Sequence, residues 1–150
     1  MALRITDFAA NPGRRFPVSL VLPGGQDPDG VSTVESVEVD GEAFAQLSTL
    51  YLEVTLRARL SQPCRRCLKP VVTVLELDEP FEVPMPTNAE TVDLLPTVLR
   101  LVLSARDPNV VCRKDCRGLC PICGANLNDE PEHACPPASS DRTTLRDLLE

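Results

Sequence analysis

The stretch Leu50-Tyr51-Leu52-Glu53-Val54-Thr55-Leu56-Arg57-Ala58-Arg59-Leu60 decides the fold, because apolar and polar side chains alternate along its whole length. A two-residue period is typical of a β-strand with one buried face and one face in water. Strands of that kind are found mainly in antiparallel sheets. The segment therefore predicts a long, half-buried strand at the centre of an antiparallel sheet.

Weaker alternation appears on both sides of this strand. Phe16–Leu22 and Val71–Leu77 repeat the pattern, and Val31–Val39, which carries Glu35 and Glu38, is a weaker candidate. A turn-rich stretch from Pro23 to Gly30 separates Phe16–Leu22 from Val31–Val39. We therefore expect neighbouring strands that are joined by short connections.

One main helix is predicted at about 93–105. Asp93 can cap it, Pro96 falls in its first turn and Asp107-Pro108 ends it. Its apolar face is predicted to be formed by Leu94, Val98, Leu101 and Ala105. A short last helix could begin at Ser140 or Asp141.

These elements predict an α+β fold with two parts. Residues 1–107 form a β-rich domain with an antiparallel sheet, open or barrel-like, a hairpin-borne Cys-x-x-Cys and the main helix. Residues 108–150 form a small Cys-rich lobe. It has little apolar periodicity and therefore needs a cross-link, such as a metal ion bound by its cysteines, to fold.

Composition excludes several classes of function. The 150 residues include 15 prolines, 3% aromatic residues and no Trp, which argues against long helices and against base-stacking platforms. A net charge of −7 argues against broad binding to nucleic acid, so no DNA partner is expected. No apolar run is long enough to span a membrane and the first residues lack a signal peptide's apolar region, so a cytoplasmic protein without a membrane partner is expected.

Seven cysteines in a reducing compartment indicate metal ligation or thiol chemistry. Cys120-Pro121-Ile122-Cys123-Gly124 has the form of a zinc knuckle, in which glycine can adopt positive φ and turn backbone N–H groups toward sulfur. The single zinc site that closes the shortest loop consists of Cys112, Cys116, Cys120 and Cys123. Cys135 and His133 are the alternative ligands.

Cys64 and Cys67 form a second pair, with three interpretations. They could complete a zinc ribbon with the knuckle at 120–123, or act as redox thiols whose pKa neighbouring arginines depress, or simply be partly buried thiols. A metal or structural role is favoured, because redox Cys-x-x-Cys pairs begin a helix in a βαβ unit and strands flank this pair.

Positive charge is concentrated beside the cysteines. The basic residues there are Arg65, Arg66, Arg113, Lys114 and Arg117. They either offset the charge of a four-thiolate zinc centre or form a local patch for RNA phosphate or a partner.

No catalytic constellation is present. The chain has one His and no G-x-S-x-G, P-loop or G-x-G-x-x-G motif. A four-thiolate zinc site has no open coordination position and is structural. We therefore expect a protein that is not an enzyme.

The cysteine motifs resemble the YceD family, named for large ribosomal RNA subunit accumulation. The resemblance rests on Pro63-Cys64-Arg65-Arg66-Cys67-Leu68 and, above all, on the run from Asp115 to Asn128, Asp-Cys-Arg-Gly-Leu-Cys-Pro-Ile-Cys-Gly-Ala-Asn-Leu-Asn. Ser140-Asp141-Arg142, followed by Leu145 and Leu148, is similar to the family's closing segment.

This resemblance implies a non-enzymatic role in the synthesis, processing or stability of 23S ribosomal RNA. The implied partner is pre-23S rRNA, an rRNA-processing protein or a ribosomal protein. Some members keep the first cysteine pair and lack the second cluster, which implies separate roles for the two. The alternatives are a thiol redox protein that uses Cys64 and Cys67, and a zinc-dependent protein adaptor.

Overall fold

Most of the molecule is antiparallel sheet with two helices. The structure, a computed structural model, describes residues 2–22 and 24–135. In chain order its elements are β1 (Ala2–Arg4), α1 (Thr6–Ala10), β2 (Phe16–Leu22), β3 (Thr33–Gln46), β4 (Thr49–Pro63), β5 (Pro70–Asp78), β6 (Phe81–Pro84), β7 (Thr91–Asp93) and α2 (Leu95–Ala105). The short helix expected from Ser140 or Asp141 lies outside the described residues.

The strand predicted from residues 50–60 is the centre of the main sheet. β4 pairs antiparallel with β3 along one edge, and with β5 and β6 along the other. β2 pairs with the outer edge of β3, so the order is β2-β3-β4-β5 with β6 beside the start of β4. Within the described residues the sheet is open, and the barrel-like alternative is therefore wrong.

The core lies on one face of this sheet. Every second residue of β4 from Leu50 to Leu60 is buried, as the alternation predicts. Ile5 and Phe8 from the N-terminal segment, together with Val98 and Val102 of α2, belong to the same apolar cluster. The opposite face of the sheet is in water and carries charged side chains.

The main helix begins two residues later than expected and buries a slightly different face. Asp93 accepts a hydrogen bond from the Leu95 N–H at 3.0 Å, as a capping carboxylate does. Val98 and Val102 are fully buried, whereas Ala105 is exposed. None of the helices within the described residues is long and apolar enough to cross a membrane.

Candidate metal centres

The first Cys-x-x-Cys lies at the tip of the β4–β5 hairpin. The Cys64 N–H donates to the Lys69 carbonyl at 2.8 Å, and the Leu68 N–H donates to the Cys64 carbonyl at 2.9 Å. Leu68 has φ +61°, a left-handed conformation that is uncommon for leucine. We call this turn, residues 64–69, the first knuckle.

The second Cys-x-x-Cys forms the same turn. The Cys120 N–H donates to the Ala125 carbonyl at 2.8 Å, and the Gly124 N–H donates to the Cys120 carbonyl at 2.9 Å. Gly124 has φ +77°, at the place where the first knuckle has Leu68. Residues 120–125 are the second knuckle, and its glycine adopts the conformation that the sequence predicted for it.

The two knuckles take part in different groups of ligands. In the first group, Cys64 and Cys67 face Cys112 and Cys116, which come from the loop after α2; all four sulfurs lie within 4.8 Å of one another. The Cys64 and Cys116 sulfurs are 3.9 Å apart, and those of Cys67 and Cys112 are 3.5 Å apart. Four sulfurs around a tetrahedral zinc ion would be separated by about 3.8 Å.

The second group has three cysteines and the histidine. Cys120 and Cys123 face His133 and Cys135, and the four ligand atoms again lie within 4.8 Å of one another. The Cys120 and Cys135 sulfurs are 3.7 Å apart, and Cys123 Sγ is 3.2 Å from His133 Nε2. Glu130 Oε2 lies 3.2 Å from Nδ1 of the same ring, which leaves Nε2 directed at the sulfurs.

The structure thus divides the four ligands expected in one site between two groups. Cys112 and Cys116 lie with Cys64 and Cys67, whereas Cys120 and Cys123 lie with the two alternative ligands. Loop length alone does not predict this arrangement, because it takes no account of where the hairpin tip lies. Nor do the first knuckle and the second form one ribbon, since they lie in different groups.

Backbone hydrogen bonds explain why the first knuckle meets the loop after α2. The Arg65 N–H donates to the Val110 carbonyl at 2.9 Å, and the Leu119 N–H donates to the Arg66 carbonyl at 3.2 Å. A side chain on Gly118 would come within 3.0 Å of that Arg66 carbonyl, so glycine permits the close approach. The loop is therefore attached on both sides of Cys112 and Cys116.

Hydrogen bonds to sulfur surround the first group. The N–H groups of Arg66 and Cys112 lie 3.4 and 3.3 Å from Cys64 Sγ. Burial would raise the pKa of the Cys64 thiol, but the N–H groups of Cys67, Arg66 and Cys112 outweigh it and lower this pKa to about 6. Burial and the neighbouring sulfurs raise the pKa of Cys112 to about 12.

The second group shows the same division. Hydrogen bonds from the N–H groups of Cys123 and Ile122 lower the pKa of Cys120 to about 6. The Cys123 side chain, followed by burial, raises the pKa of Cys135 to about 12. In each group the pKa of at least one thiol is lowered and that of another is raised, because burial and the neighbouring sulfurs oppose the ionisation of all four ligands at once. A bound cation would remove this conflict by drawing all the sulfurs into the ionised state.

Asn128 contacts the first group and was not among the residues predicted to belong to the site. Its Nδ2 donates to Cys116 Sγ at 3.3 Å, and its Oδ1 accepts from Arg113 Nη2 and from the Arg117 N–H at 2.8 and 2.9 Å. It follows the second knuckle in sequence, yet it contacts the first group. Polar side chains beside metal ligands orient those ligands through hydrogen bonds. The Asn126-Leu127-Asn128 run lies beside the cysteine cluster and could have been interpreted in this way.

The basic side chains beside the cysteines bond mainly to the loops of this lobe. Arg66 Nη1 donates to the carbonyls of Lys114 and Cys116 at 3.3 and 3.0 Å, and Arg117 Nη1 donates to the Pro131 carbonyl at 2.8 Å. Arg65 Nη1 donates to Asn109 Oδ1 at 2.7 Å. These contacts place positive charge around the sulfurs and tie the loops together.

Comparisons with known proteins identify relatives but no family. An uncharacterized protein of Mycobacterium bovis and uncharacterized proteins of two strains of Mycobacterium tuberculosis are each 36% identical to this chain over 94 residues. The match covers 53% of this chain and 45% of each relative, so the chain spans about half the length of the curated relatives it matches. No family model matches the chain, and no solved structure matches it.

Proposed function

We propose that this protein is a non-enzymatic factor in the biogenesis of the large ribosomal subunit, and that it binds two structural zinc ions. The observation that supports the zinc assignment is the pair of four-ligand groups, one with four cysteines and one with three cysteines and a histidine. Cysteine and neutral histidine are the ligands that zinc prefers in closed tetrahedral sites.

A structural role fits both groups better than a catalytic one. A catalytic zinc has three protein ligands and an open position for water or substrate. Each group here offers four ligand atoms, which would leave no open position on a tetrahedral ion. Among residues 106–135, the part of the lobe that the structure describes, few apolar residues are buried, so metal binding would supply much of the free energy that orders these loops.

The ribosomal role is supported by the resemblance to the YceD family on the cysteine motifs. We propose that the protein acts in the cytoplasm, in the assembly of pre-23S rRNA into the large subunit. Its proposed binding partner there is an rRNA-processing protein or a ribosomal protein. The basic residues expected to bind RNA phosphate are largely engaged in holding the metal-binding loops, which favours a protein contact. Redox chemistry at Cys64 and Cys67 is the weaker alternative, because both thiols lie in a four-ligand group.

Two measurements test this proposal. Native mass spectrometry should show two zinc ions per chain, both removed by a strong chelator. Depletion of the protein in its own cells should lower the ratio of mature 23S to 16S rRNA, and the wild-type chain should restore it. A metal-free native protein would refute the zinc assignment, and an unchanged rRNA ratio under full depletion would refute the ribosomal role.

A further inference from the structure

The water-facing side of the sheet changes character near the first knuckle. Exposed apolar residues gather there, namely Val31 at 61% exposure, Leu68 at 62%, Val72 at 45% and Val74 at 71%, with the exposed Pro70 between them. We call these five residues the knuckle patch. Single exposed apolar residues are ordinary on a protein surface, whereas a contiguous group of them marks a contact site.

The register of the sheet shows that the patch is contiguous. Val72 and Val74 lie opposite Ser61 and Arg59 of β4, on the face that points into water. Pro70 lies opposite Pro63 on the same face. Val31, Leu68 and Pro70 also line one shallow concavity of ≈ 260 Å³ at the hairpin tip.

Leu68 is an unusual residue for its position. The same turn in the second knuckle has Gly124, and glycine adopts the left-handed conformation without steric cost. A leucine with φ +61° costs about 1 kcal/mol, and its side chain gains little from burial here. The exposed leucine therefore opposes stability, as Leu47 does in the turn between β3 and β4, and what distinguishes Leu68 is its place beside Val31 and Pro70 in the knuckle patch.

Charge on the same face indicates the chemistry of that molecule. On the side of Arg59 that lies away from the first knuckle, the water-facing positions of β3, β4 and β5 are mostly acidic. They are Glu38, Asp40, Glu42, Glu53, Glu76 and Asp78. Arg15, Arg57 and Arg59 on this face are already paired with Glu53, Glu76 and Glu35. Carboxylates outnumber the arginines, so this face repels phosphate and attracts cations.

We infer that the knuckle patch and the adjoining acidic face bind a segment of a basic protein, with an apolar side chain seated against Leu68 and lysine or arginine side chains over the carboxylates. This inference rests on the proposed function only in that a basic ribosomal protein is then the natural source of the segment. An acidic sheet face beside an apolar anchor fits a protein partner. The phosphates of an RNA would be repelled by the carboxylates of this face.

The test uses the full, zinc-loaded chain and a short labelled peptide of alternating lysine and valine. Fluorescence anisotropy should show binding that weakens with salt. Matched peptides of glutamate and valine, and of lysine and serine, should bind at least about tenfold more weakly, since each lacks one of the two features. An oligouridine RNA should not compete.

Substitutions locate the binding surface. Leu68→Gly relieves the backbone and Val74→Thr keeps the side-chain shape, and each should weaken peptide binding about tenfold while both zinc ions stay bound. Leu47→Gly is the matched control, because Leu47 also has positive φ (+55°) and is 94% exposed, but lies in the turn between β3 and β4. It should leave binding unchanged.

Each of the following results would overturn the inference. They are equal binding of the peptide to wild type and Leu68→Gly, equal binding of the lysine-serine peptide, competition by oligouridine, and a dimer that Leu68→Gly dissociates in sedimentation. Tighter peptide binding after deletion of residues 136–150 would also overturn it, since that segment would then be the occupant. Peptide binding without any 23S phenotype would refute the ribosomal role alone, and the reverse result would refute this surface alone.

Discussion

The sulfurs of Cys64 and Cys116 lie 3.9 Å apart although 52 residues separate them in the chain. Cys64 is at the tip of a hairpin of the main sheet, and Cys116 is in the loop that follows α2. A metal ion at this group would therefore connect the sheet to the second part of the chain. The second group, by contrast, uses ligands from residues 120–135 only.

The pairing of ligands can be tested by counting zinc ions in single variants. Cys64→Ser should leave one zinc ion, Cys123→Ser should leave one, and the double variant should bind none, because each substitution damages a different group. Native mass spectrometry gives the count. A site made of Cys112, Cys116, Cys120 and Cys123 would instead leave zinc binding intact in Cys64→Ser and abolish it in Cys123→Ser.

Asn128 should control the affinity of a group to which it contributes no ligand. Asn128→Asp replaces the amide donor to Cys116 Sγ with a carboxylate oxygen, and we expect at least about tenfold weaker zinc binding at the first group. Competition with a chromogenic chelator in the Cys123→Ser background isolates that group. Asn109→Asp is the control, since Asn109 Oδ1 accepts from Arg65 and lies outside both groups.

Gly124 should matter to the second group through its backbone conformation alone. A Cβ at Gly124 would meet nothing within 4 Å, but its φ of +77° disfavours alanine by about 1 kcal/mol. Gly124→Ala should therefore weaken zinc binding at the second group by about fivefold. Gly25→Ala, with φ +86° and equally open surroundings, should leave zinc affinity unchanged in the same chelator titration.

Asp29 should make the free energy of unfolding depend on pH in the acidic range. It accepts N–H hydrogen bonds from Ser32 and Val31 and pairs with Arg106 at the end of α2. Burial would raise the pKa of Asp29, but these partners outweigh it and hold the pKa below the usual 3.8. Because this pKa is lower in the folded state, the stabilisation is complete above about pH 5 and is lost as pH falls through the folded value.

Asp29→Asn should consequently lower the free energy of unfolding by about 1–3 kcal/mol at neutral pH, with a smaller difference below pH 4. Urea titrations of both proteins at several pH values give this difference, and zinc release in acid affects both alike. Asp27→Asn is the control, because the Asp27 carboxylate has no hydrogen bond or ion pair among the residues that the structure describes. A difference that grows in acid would contradict the assignment.

The sheet was largely predictable because long strands repeat their pattern many times. The second half of β3 was missed, since its inward positions are small: Gly41, Ala43 and Ala45. A Cβ on Gly41 would come within 2.3 Å of the Glu53 carbonyl, so the packing itself requires a residue that weakens the hydrophobic pattern. β1, β6 and β7 have three or four residues each and are too short to show a period.

The candidate ligands were predictable one by one, but their grouping was not. Spacing identifies a knuckle, because its two sulfurs are fixed by one local turn. Which other pair faces a knuckle depends on tertiary contacts such as the hydrogen bond between the Arg65 N–H and the Val110 carbonyl. The entropy of loop closure depends on the number of intervening residues and does not include the free energy of such contacts.

Because the first group is divided between the hairpin and the loop, this protein could be cut into two fragments whose association depends on a metal ion. A chain cut between α2 and Cys112 would leave each fragment with two of the four sulfurs of that group. Neither fragment could then complete the group alone, whereas together they would present it at their junction. Zinc would hold the two fragments together, and its concentration would set the fraction of fragments that are associated.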